Sequence, residues 1–259
     1  MAIAKPKKFM LGLVMLIGFF AVVVMLFMPL YGTMSDGSGK NAFNVLDGLY
    51  NSVSKSSSEF NSEVGEKITE FNSQETSFTS KAKAATTDKV AGTPSRGEIA
   101  KPEEMAKQMV KLIQTAGAEA TSSEKDGAWS VKVNGDFGKI LASALEDSKE
   151  MYDNNGQALV KKYGFDAENA MNDWWLLFNS PQTDMSAAGG EAFEQSKMLK
   201  EINEKSIEPA YNYYTIEAQS PSAKALPILL SLGGYVLYTV WYGFSLLFMF
   251  EGWGLKLEH

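Results

Sequence analysis

The stretch FMLGLVMLIGFFAVVVMLFMPL, residues 9–30, decides the fold because it runs for 22 residues without a charged side chain. Roughly 20 consecutive apolar residues cross the hydrocarbon core of a bilayer as a helix. A second uncharged stretch of 26 residues, 225–250, meets the same requirement. The sequence therefore predicts two transmembrane helices, over residues 9–31 and 225–250.

Basic residues give the expected orientation of these helices. Lys5, Lys7 and Lys8 precede the first one, and lysine-rich flanks stay in the cytoplasm. Residues 1–8 and 251–259 are therefore expected in the cytoplasm, and residues 32–224 in the periplasm outside a bacterial inner membrane. A cleaved signal peptide is the alternative, but the apolar run is long for one and no small-residue cleavage site follows it. The last three residues, 257–259, are interpreted as the remnant of an affinity tag.

The chain lacks the side chains that most cofactors need. It has no cysteine, one histidine at position 259 and one arginine at position 96. Haem ligation by histidine or cysteine, iron–sulfur clusters, histidine-based zinc sites and Ser-His-Asp triads are thereby excluded within this chain. We expect no metal and no cofactor, and we expect packing rather than disulfides to hold the domain.

The segment between the two apolar stretches is acidic. Residues 32–224 contain 20 lysine and arginine residues against 29 acidic ones, a net charge of −9. Such a segment repels nucleic acid and anionic lipid headgroups, so membrane lipid around the two spans is the expected non-protein partner and nucleic acid is not.

No catalytic motif is present in the sequence. It contains neither a glycine-rich phosphate loop after a strand nor a nucleophile elbow, and adjacent acids such as Glu103 and Glu104 show no pattern that would perturb a pKa. We therefore expect a protein without enzymatic activity.

A heptad-like pattern follows the first apolar stretch. Larger side chains recur at alternating spacings of four and three residues, which is typical of a coiled-coil seam. The sequence therefore predicts one long extracytoplasmic helix over residues 32–84 that pairs with another helix. Packing within the same chain is the alternative, because polar residues occupy some seam positions. The predicted interface residues are Leu46, Tyr50, Val53, Phe60, Val64, Phe71 and Phe78.

The remaining outer segment is predicted to be a linker, residues 85–98, and a helical domain, residues 99–224. A hairpin turn is expected at Asp126 and Gly127, and Asp136 and Asp166 are expected to cap helices. The predicted fold class is a mainly α membrane protein, in which two transmembrane helices flank an extracytoplasmic helical domain with a long coiled-coil-like helix and one β-hairpin.

Two aromatic groups stand out in the sequence. The first is a candidate ligand pocket, because aromatic walls with polar tips line many binding sites. Its alternative is a domain core or a surface against the membrane. The predicted ligand-binding residues are Trp174, Trp175, Phe178, Tyr211, Tyr213 and Tyr214.

The second aromatic group lies on one face of the second apolar stretch. Its members are spaced four, three, four and three residues apart, and the first stretch offers no polar side chain to meet their hydroxyls. We interpret this face as an intersubunit seam of a homo-oligomer. A quinone or lipid site is one alternative, and hydrogen bonds to carbonyls of the same helix are another. The predicted interface residues are Ser231, Tyr235, Tyr238, Tyr242 and Ser245.

These patterns favour three functions in order. The first is a structural or accessory subunit of the bacterial inner membrane that self-assembles through its long helix and second span, with another membrane protein as a further partner. The second is a ligand-binding accessory subunit of a sensor or transporter. The third is a quinone-facing subunit of a respiratory complex whose cofactors reside on other chains.

Overall fold

A computed structural model describes residues 3–34, 37–58, 60–83 and 100–255 of the chain. The predicted linker, 85–98, and the predicted tag remnant, 257–259, lie outside the described residues. The chain divides into two compact units. The first, here called the hairpin unit, comprises Met1–Val53 and Gln219–His259, and the second, the central domain, comprises Ser54–Ala218.

The described part of the chain is mainly helical with one small sheet. The helices are α1 (Pro6–Phe27), α2 (Ala42–Ser57), α3 (Asn61–Ile68), α4 (Pro102–Thr115), α5 (Phe137–Tyr152), α6 (Gly156–Tyr163), α7 (Ala167–Asn179), α8 (Gln182–Ala188), α9 (Gly190–Ile202), α10 (Glu208–Asn212) and α11 (Ala225–Trp253). The strands are β1 (Glu75–Ala82), β2 (Glu119–Lys125) and β3 (Ala128–Asp136). A 3-10 turn covers Thr69–Phe71, and a π-helical segment covers Asn203–Ile207.

The hairpin unit contains both helices that are long and apolar enough to cross a membrane, α1 and α11. They pack on each other with backbone contact at two glycines. A Cβ atom added at Gly12 would lie 2.6 Å from the carbonyl oxygen of Ser245, and one added at Gly252 would lie 2.5 Å from the nitrogen of Phe9. Glycines permit this close approach, as in many membrane helix pairs.

The prediction of one long helix over residues 32–84 is wrong. The helical path ends at Ser57, resumes as α3, and stops in the 3-10 turn before β1. Side chains of β1 alternate between buried and exposed, which is the period of two of a strand. Its antiparallel partner is β3, with Phe78 opposite Val133. Apolar residues of separate elements thus reproduced a heptad spacing by chance.

The predicted seam residues accordingly have different environments. Val64 and Phe78 are buried in the core of the central domain, and Phe71 packs against that core. Phe60 precedes α3 and is 40% exposed. The others, Leu46, Tyr50 and Val53, belong to the hairpin unit. The continuous seam proposed for coiled-coil pairing therefore does not exist in this fold.

The predicted β-hairpin is confirmed and extended by a third strand. The sheet order is β1-β3-β2, and both neighbouring pairs are antiparallel. Asp126 and Gly127 have positive φ angles of 53° and 77°, as the tight turn of a two-residue hairpin requires.

The core of the central domain lies where α4, α5, α7 and α9 meet one face of the sheet and α3. Both predicted N-caps are confirmed. Asp136 accepts a hydrogen bond from the nitrogen of Lys139, and Asp166 accepts bonds from the nitrogens of Glu168 and Asn169. Because α3 and β1 contribute buried side chains, the domain begins at residue 54 rather than at the predicted residue 99.

Candidate functional site

Helix α9 ends at Ile202 and leads directly into the π-helical segment, Asn203–Ile207. Pro209 explains why the regular α-helix does not continue. A proline has no N–H to donate to the carbonyl four residues earlier, and its ring crowds that carbonyl. The wider π turn precedes the proline, and α10 follows. Single π turns inside helices occur frequently at functional sites.

A groove of about 250 Å³ lies between α7 and the end of the π-helical segment with α10. We call it the α7–α10 groove. Its walls combine large apolar side chains with a few polar groups, which is the composition of small-molecule sites. The lining residues are Met171, Asn172, Trp175, Ile207, Glu208, Tyr211 and Asn212.

Two hydrogen bonds hold Trp175 in the wall of this groove. Its indole Nε1 donates to Oε1 of Glu208 at 2.8 Å. Its carbonyl oxygen accepts from Nδ2 of Asn203 at 3.2 Å. Trp175 is therefore tied to both the π-helical segment and α10, and its ring occupies a defined place at the surface.

Glu208 is the only residue with a formal charge in the groove lining. It forms no ion pair with any of the residues that the structure describes. An ionised carboxylate has about four lone-pair sites, and the indole of Trp175 uses one of them. The carboxylate thus retains capacity to accept hydrogen bonds from a ligand.

The π-helical segment also contains unpaired polar atoms. Oδ1 of Asn203 and Oγ of Ser206 are buried and have no hydrogen-bond partner among the described residues. Leaving such an atom unpaired costs about 1–3 kcal/mol, so each one in a folded protein calls for an explanation. Both atoms belong to the π-helical segment, whose last residue, Ile207, lines the α7–α10 groove.

The structure divides the predicted aromatic group. Trp175 and Tyr211 line the groove. Trp174 and Phe178 are fully buried in the core, with ring centroids 5.4 Å apart. These two residues therefore lie in the domain core, which is the alternative to a ligand pocket.

Tyr213 and Tyr214 do not line the groove either. The ring of Tyr213 meets the ring of Tyr152 edge to face at 6.5 Å. Its carbonyl accepts from the buried ammonium of Lys55 at 3.2 Å. Tyr214 packs over Gly156 at the start of α6. Both tyrosines therefore pack against other residues of the central domain.

Five lining residues were not singled out from the sequence. They are Met171, Asn172, Ile207, Glu208 and Asn212. Isolated polar or aliphatic residues of this kind occur throughout helical proteins and give no local signal. The one signal available was Pro209 directly after a strong helical pattern, because it requires a distortion of the helix before it.

A buried polar cluster surrounds Asp147, which is 1% exposed. Its carboxylate accepts from the hydroxyl of Tyr163 at 2.5 Å, from Nε1 of Trp174 at 2.8 Å and from Nζ of Lys162 at 2.8 Å. Burial and the charge of Asp147 raise the pKa of the Tyr163 hydroxyl. Every strong partner of this carboxylate comes from the domain itself, so the cluster is a structural element.

A second and wider cleft of about 710 Å³ opens beside α5. Three lysines line it, but two of them already face carboxylates of the same domain. Lys139 lies 3.8 Å from Asp136, and Lys162 lies 2.8 Å from Asp147. The α7–α10 groove, with its unpaired carboxylate, is the better candidate site.

The predicted polar face of the second span meets the first span in the same chain. The hydroxyl of Tyr238 donates to the carbonyl of Phe19 at 3.3 Å, and their rings stack at 4.1 Å. Tyr242 also contacts Phe19, at 4.9 Å between ring centroids. The hydroxyl of Tyr238 therefore has an acceptor within the chain, a backbone carbonyl of the first span.

Other members of that face have partners in the hairpin unit as well. Ser245 is buried, and its hydroxyl donates to the carbonyl of Tyr242 at 2.6 Å. The hydroxyl of Ser231 lies 2.7 Å from the hydroxyl of Tyr50. Tyr235 remains 70% exposed. An intersubunit contact through this span stays a prediction.

The described residues contain no group of three or more histidine or acidic side chains arranged to hold a metal ion. A comparison of the chain with protein-family models, curated proteins and solved structures found no match. A function is therefore inferred from the chemistry of the α7–α10 groove.

Proposed function

We propose that this protein is a non-enzymatic accessory subunit of a bacterial inner membrane, anchored by α1 and α11, whose central domain binds a small ligand in the periplasm. Both termini lie in the cytoplasm in this proposal. The observation that carries it is the α7–α10 groove, which combines aromatic walls with one carboxylate that has no cationic partner among the described residues. Sites of this composition orient a ligand by a few polar contacts and bind it through apolar area.

The groove favours binding over bond-making chemistry. Its ionisable side chains are Glu208 and Tyr211, and its lining includes no lysine or serine that could act as a nucleophile. The one carboxylate of the lining, Glu208, could act as a base, but its hydrogen-bond donor is the indole N–H of Trp175, which is neither a nucleophile nor an acid–base partner. The lining supports recognition of a ligand by a sensor or transporter subunit.

The self-assembly hypothesis loses its two main supports in this structure. The long helix is divided into shorter elements, and most of the polar face of the second span is satisfied within the chain. The ligand-binding hypothesis is instead supported by a defined cavity whose lining includes Trp175 and Tyr211. For this reason we place the ligand-binding subunit before the self-assembling one.

Fluorine NMR tests the proposed function in the full chain. The protein is labelled with 5-fluorotryptophan in a neutral detergent, and the signal of Trp175 among the five tryptophans is assigned with Trp175→Phe. A fragment set with neutral, anionic and cationic members is then added. We expect at least one class to shift the Trp175 signal while the adjacent buried Trp174 stays in place. A Trp175 signal that no fragment moves would contradict ligand binding in this groove.

A further inference from the structure

Glu208 gives the groove a negative charge that nothing in the described chain neutralises. No lysine or arginine lines the groove, and Glu208 forms no ion pair with any described residue. Its hydrogen-bond donor among the described residues is the neutral indole N–H of Trp175. A half-buried carboxylate with free acceptor positions attracts a cation more strongly than an exposed one, because solvent screens it less.

Two aromatic residues line the same groove as this carboxylate. Trp175 and Tyr211 both line the groove, and Trp175 is held against Glu208 by its hydrogen bond at 2.8 Å. The faces of aromatic rings carry partial negative charge, so cations bind against them, and tryptophan is the strongest of these partners. The carboxylate and the two rings therefore favour the same kind of ligand.

The charge of the whole segment acts in the same direction. Residues 32–224 carry a net charge of −9, which raises the local concentration of cations and lowers that of anions. An anion in the groove would meet the unpaired Glu208 directly. A neutral ligand would desolvate that carboxylate without pairing it, and this has a free-energy cost.

We infer that the α7–α10 groove binds a small organic cation whose ammonium group lies against Glu208 and between the rings of Trp175 and Tyr211. This inference rests on the proposed function and names its ligand class. A cavity of about 250 Å³ is below the usual range of about 300–1,000 Å³ for drug-sized ligands. The ligand is therefore a compact amine or quaternary ammonium compound.

Isothermal titration of the full chain in neutral detergent tests the charge requirement. The probes are choline and 3,3-dimethylbutan-1-ol, which has the same shape but no charge. Choline is expected to bind about tenfold or more tightly than the neutral isostere, because its positive charge is attracted by the carboxylate of Glu208 and by the faces of the aromatic rings. Ethylammonium serves as a second cation that tests a primary amine.

Matched variants locate the effect. Glu208→Gln keeps an acceptor for the indole of Trp175 but removes the charge. It should weaken choline binding about tenfold or more, because the Coulomb attraction is lost, and leave binding of the isostere unchanged. Glu204→Gln is the control. It removes one negative charge from the same π-helical segment, where the side chain is exposed and outside the groove lining. This control should bind choline as the wild type does.

The outcomes separate the ligand class from the proposed function. If the neutral isostere or an anion moves the Trp175 signal and binds as tightly as choline, and Glu208→Gln changes nothing, the groove is a binding site but the cation inference is wrong. If neither choline nor ethylammonium binds at millimolar concentration, the inference is also overturned. Tight choline binding that survives Trp175→Ala and Glu208→Gln would place the cation elsewhere and overturn it as well.

Discussion

Two buried aspartates of the central domain differ in how well their carboxylates are hydrogen-bonded. Asp147 and Asp173 are each 1% exposed. Asp147 accepts from three donors, one of them the ammonium of Lys162. Oδ2 of Asp173 has no hydrogen-bond partner among the described residues. The first carboxylate thus has a cationic partner and two neutral donors, whereas burial raises the pKa of the second well above its ordinary value.

Replacing Asp147 should destabilise the central domain strongly. Asp147→Ala leaves the donors of Tyr163 and Trp174 unpaired and removes the buried partner of Lys162. Breaking a buried pair of this kind costs about 3–5 kcal/mol. Glu146→Ala is the neighbouring control, because Glu146 is 71% exposed and lies 3.3 Å from the same lysine. It should change the free energy of unfolding by less than about 1 kcal/mol. Urea unfolding followed by tryptophan fluorescence measures both, and equal losses would contradict this role.

Asp173 should make stability depend on pH. Burial raises the pKa of its carboxyl well above the ordinary value, against a hydrogen bond from Asn172 and with a further contribution from negative Glu104. The folded chain therefore binds this proton more tightly than the unfolded chain. The resulting stability is fully present below the pKa of an unfolded aspartate, about 3.9, and is lost as pH rises through the folded value.

Asp173→Asn is the corresponding experiment, because asparagine is neutral at every pH. Its free energy of unfolding should resemble that of the wild type near pH 4 and exceed it near pH 7, by on the order of 1 kcal/mol or more. Asp184→Asn changes an exposed aspartate of α8 and serves as the control. Urea unfolding at both pH values measures the difference. A variant that is less stable than the wild type near pH 7 would show that the charged form of Asp173 is the favoured one.

At the scale of elements, the observed fold differs most from the sequence pattern in the segment before residue 84, where shorter helices and a strand form instead of one helix. Val64 belongs to α3 and Phe78 to β1, yet both enter the same core. A helix was predicted through both because their spacing fits a heptad. The strand forms instead because β3 offers a paired partner and an apolar face. The preference for strand thus comes from a contact between segments more than 50 residues apart, as Phe78 and Val133 show.

Two substitutions distinguish this fold from a coiled coil. A seam predicts that Phe60→Asp disrupts helix pairing. In the structure Phe60 is 40% exposed at the N-cap of α3, where aspartate is a favoured residue. Phe60→Asp should therefore change the free energy of unfolding by no more than about 0.5 kcal/mol. Phe78→Ala removes a buried ring and should cost about 3–5 kcal/mol. The reverse order of the two losses, measured by urea unfolding, would support the seam.

Local signals explain which elements were predictable. The turn at Asp126 and Gly127 and the caps at Asp136 and Asp166 depend on contacts within a few residues, and all were identified. The site was half predictable for the same reason. Trp175 and Tyr211 are large aromatic residues that the sequence pattern singles out. The role of Glu208 could not be predicted, because it depends on the π turn that precedes it and on its contact with the indole of Trp175.

At the scale of the whole molecule, the chain combines two units of opposite character. The hairpin unit contains the two long apolar helices, and the segment between them carries a net charge of −9. Apolar helices satisfy their backbone groups internally and are stable in lipid. An acidic domain stays in water and attracts cations. The proposed membrane anchor and the proposed cation site therefore belong to different units of the chain.

The membrane topology is testable because the chain has no cysteine of its own. Single cysteines are introduced as Ser57→Cys, at the end of α2, and Ala4→Cys, before α1; both positions are exposed. Lysines before the first span predict that residue 4 is cytoplasmic and residue 57 periplasmic. A membrane-impermeant maleimide applied to intact cells should label Ser57→Cys alone. Labelling of Ala4→Cys before permeabilisation would refute this orientation.

Native mass spectrometry of the full chain, released from neutral detergent micelles, tests the central claim most directly. The wild type is compared with Asn212→Trp, in which a bulky ring replaces an exposed residue of the groove lining, and equal unfolding temperatures establish that both are folded. The account predicts that the wild type, incubated with millimolar choline, carries the added mass of one choline and that Asn212→Trp does not. An equal amount of choline on both proteins, or none on the wild type, would contradict it.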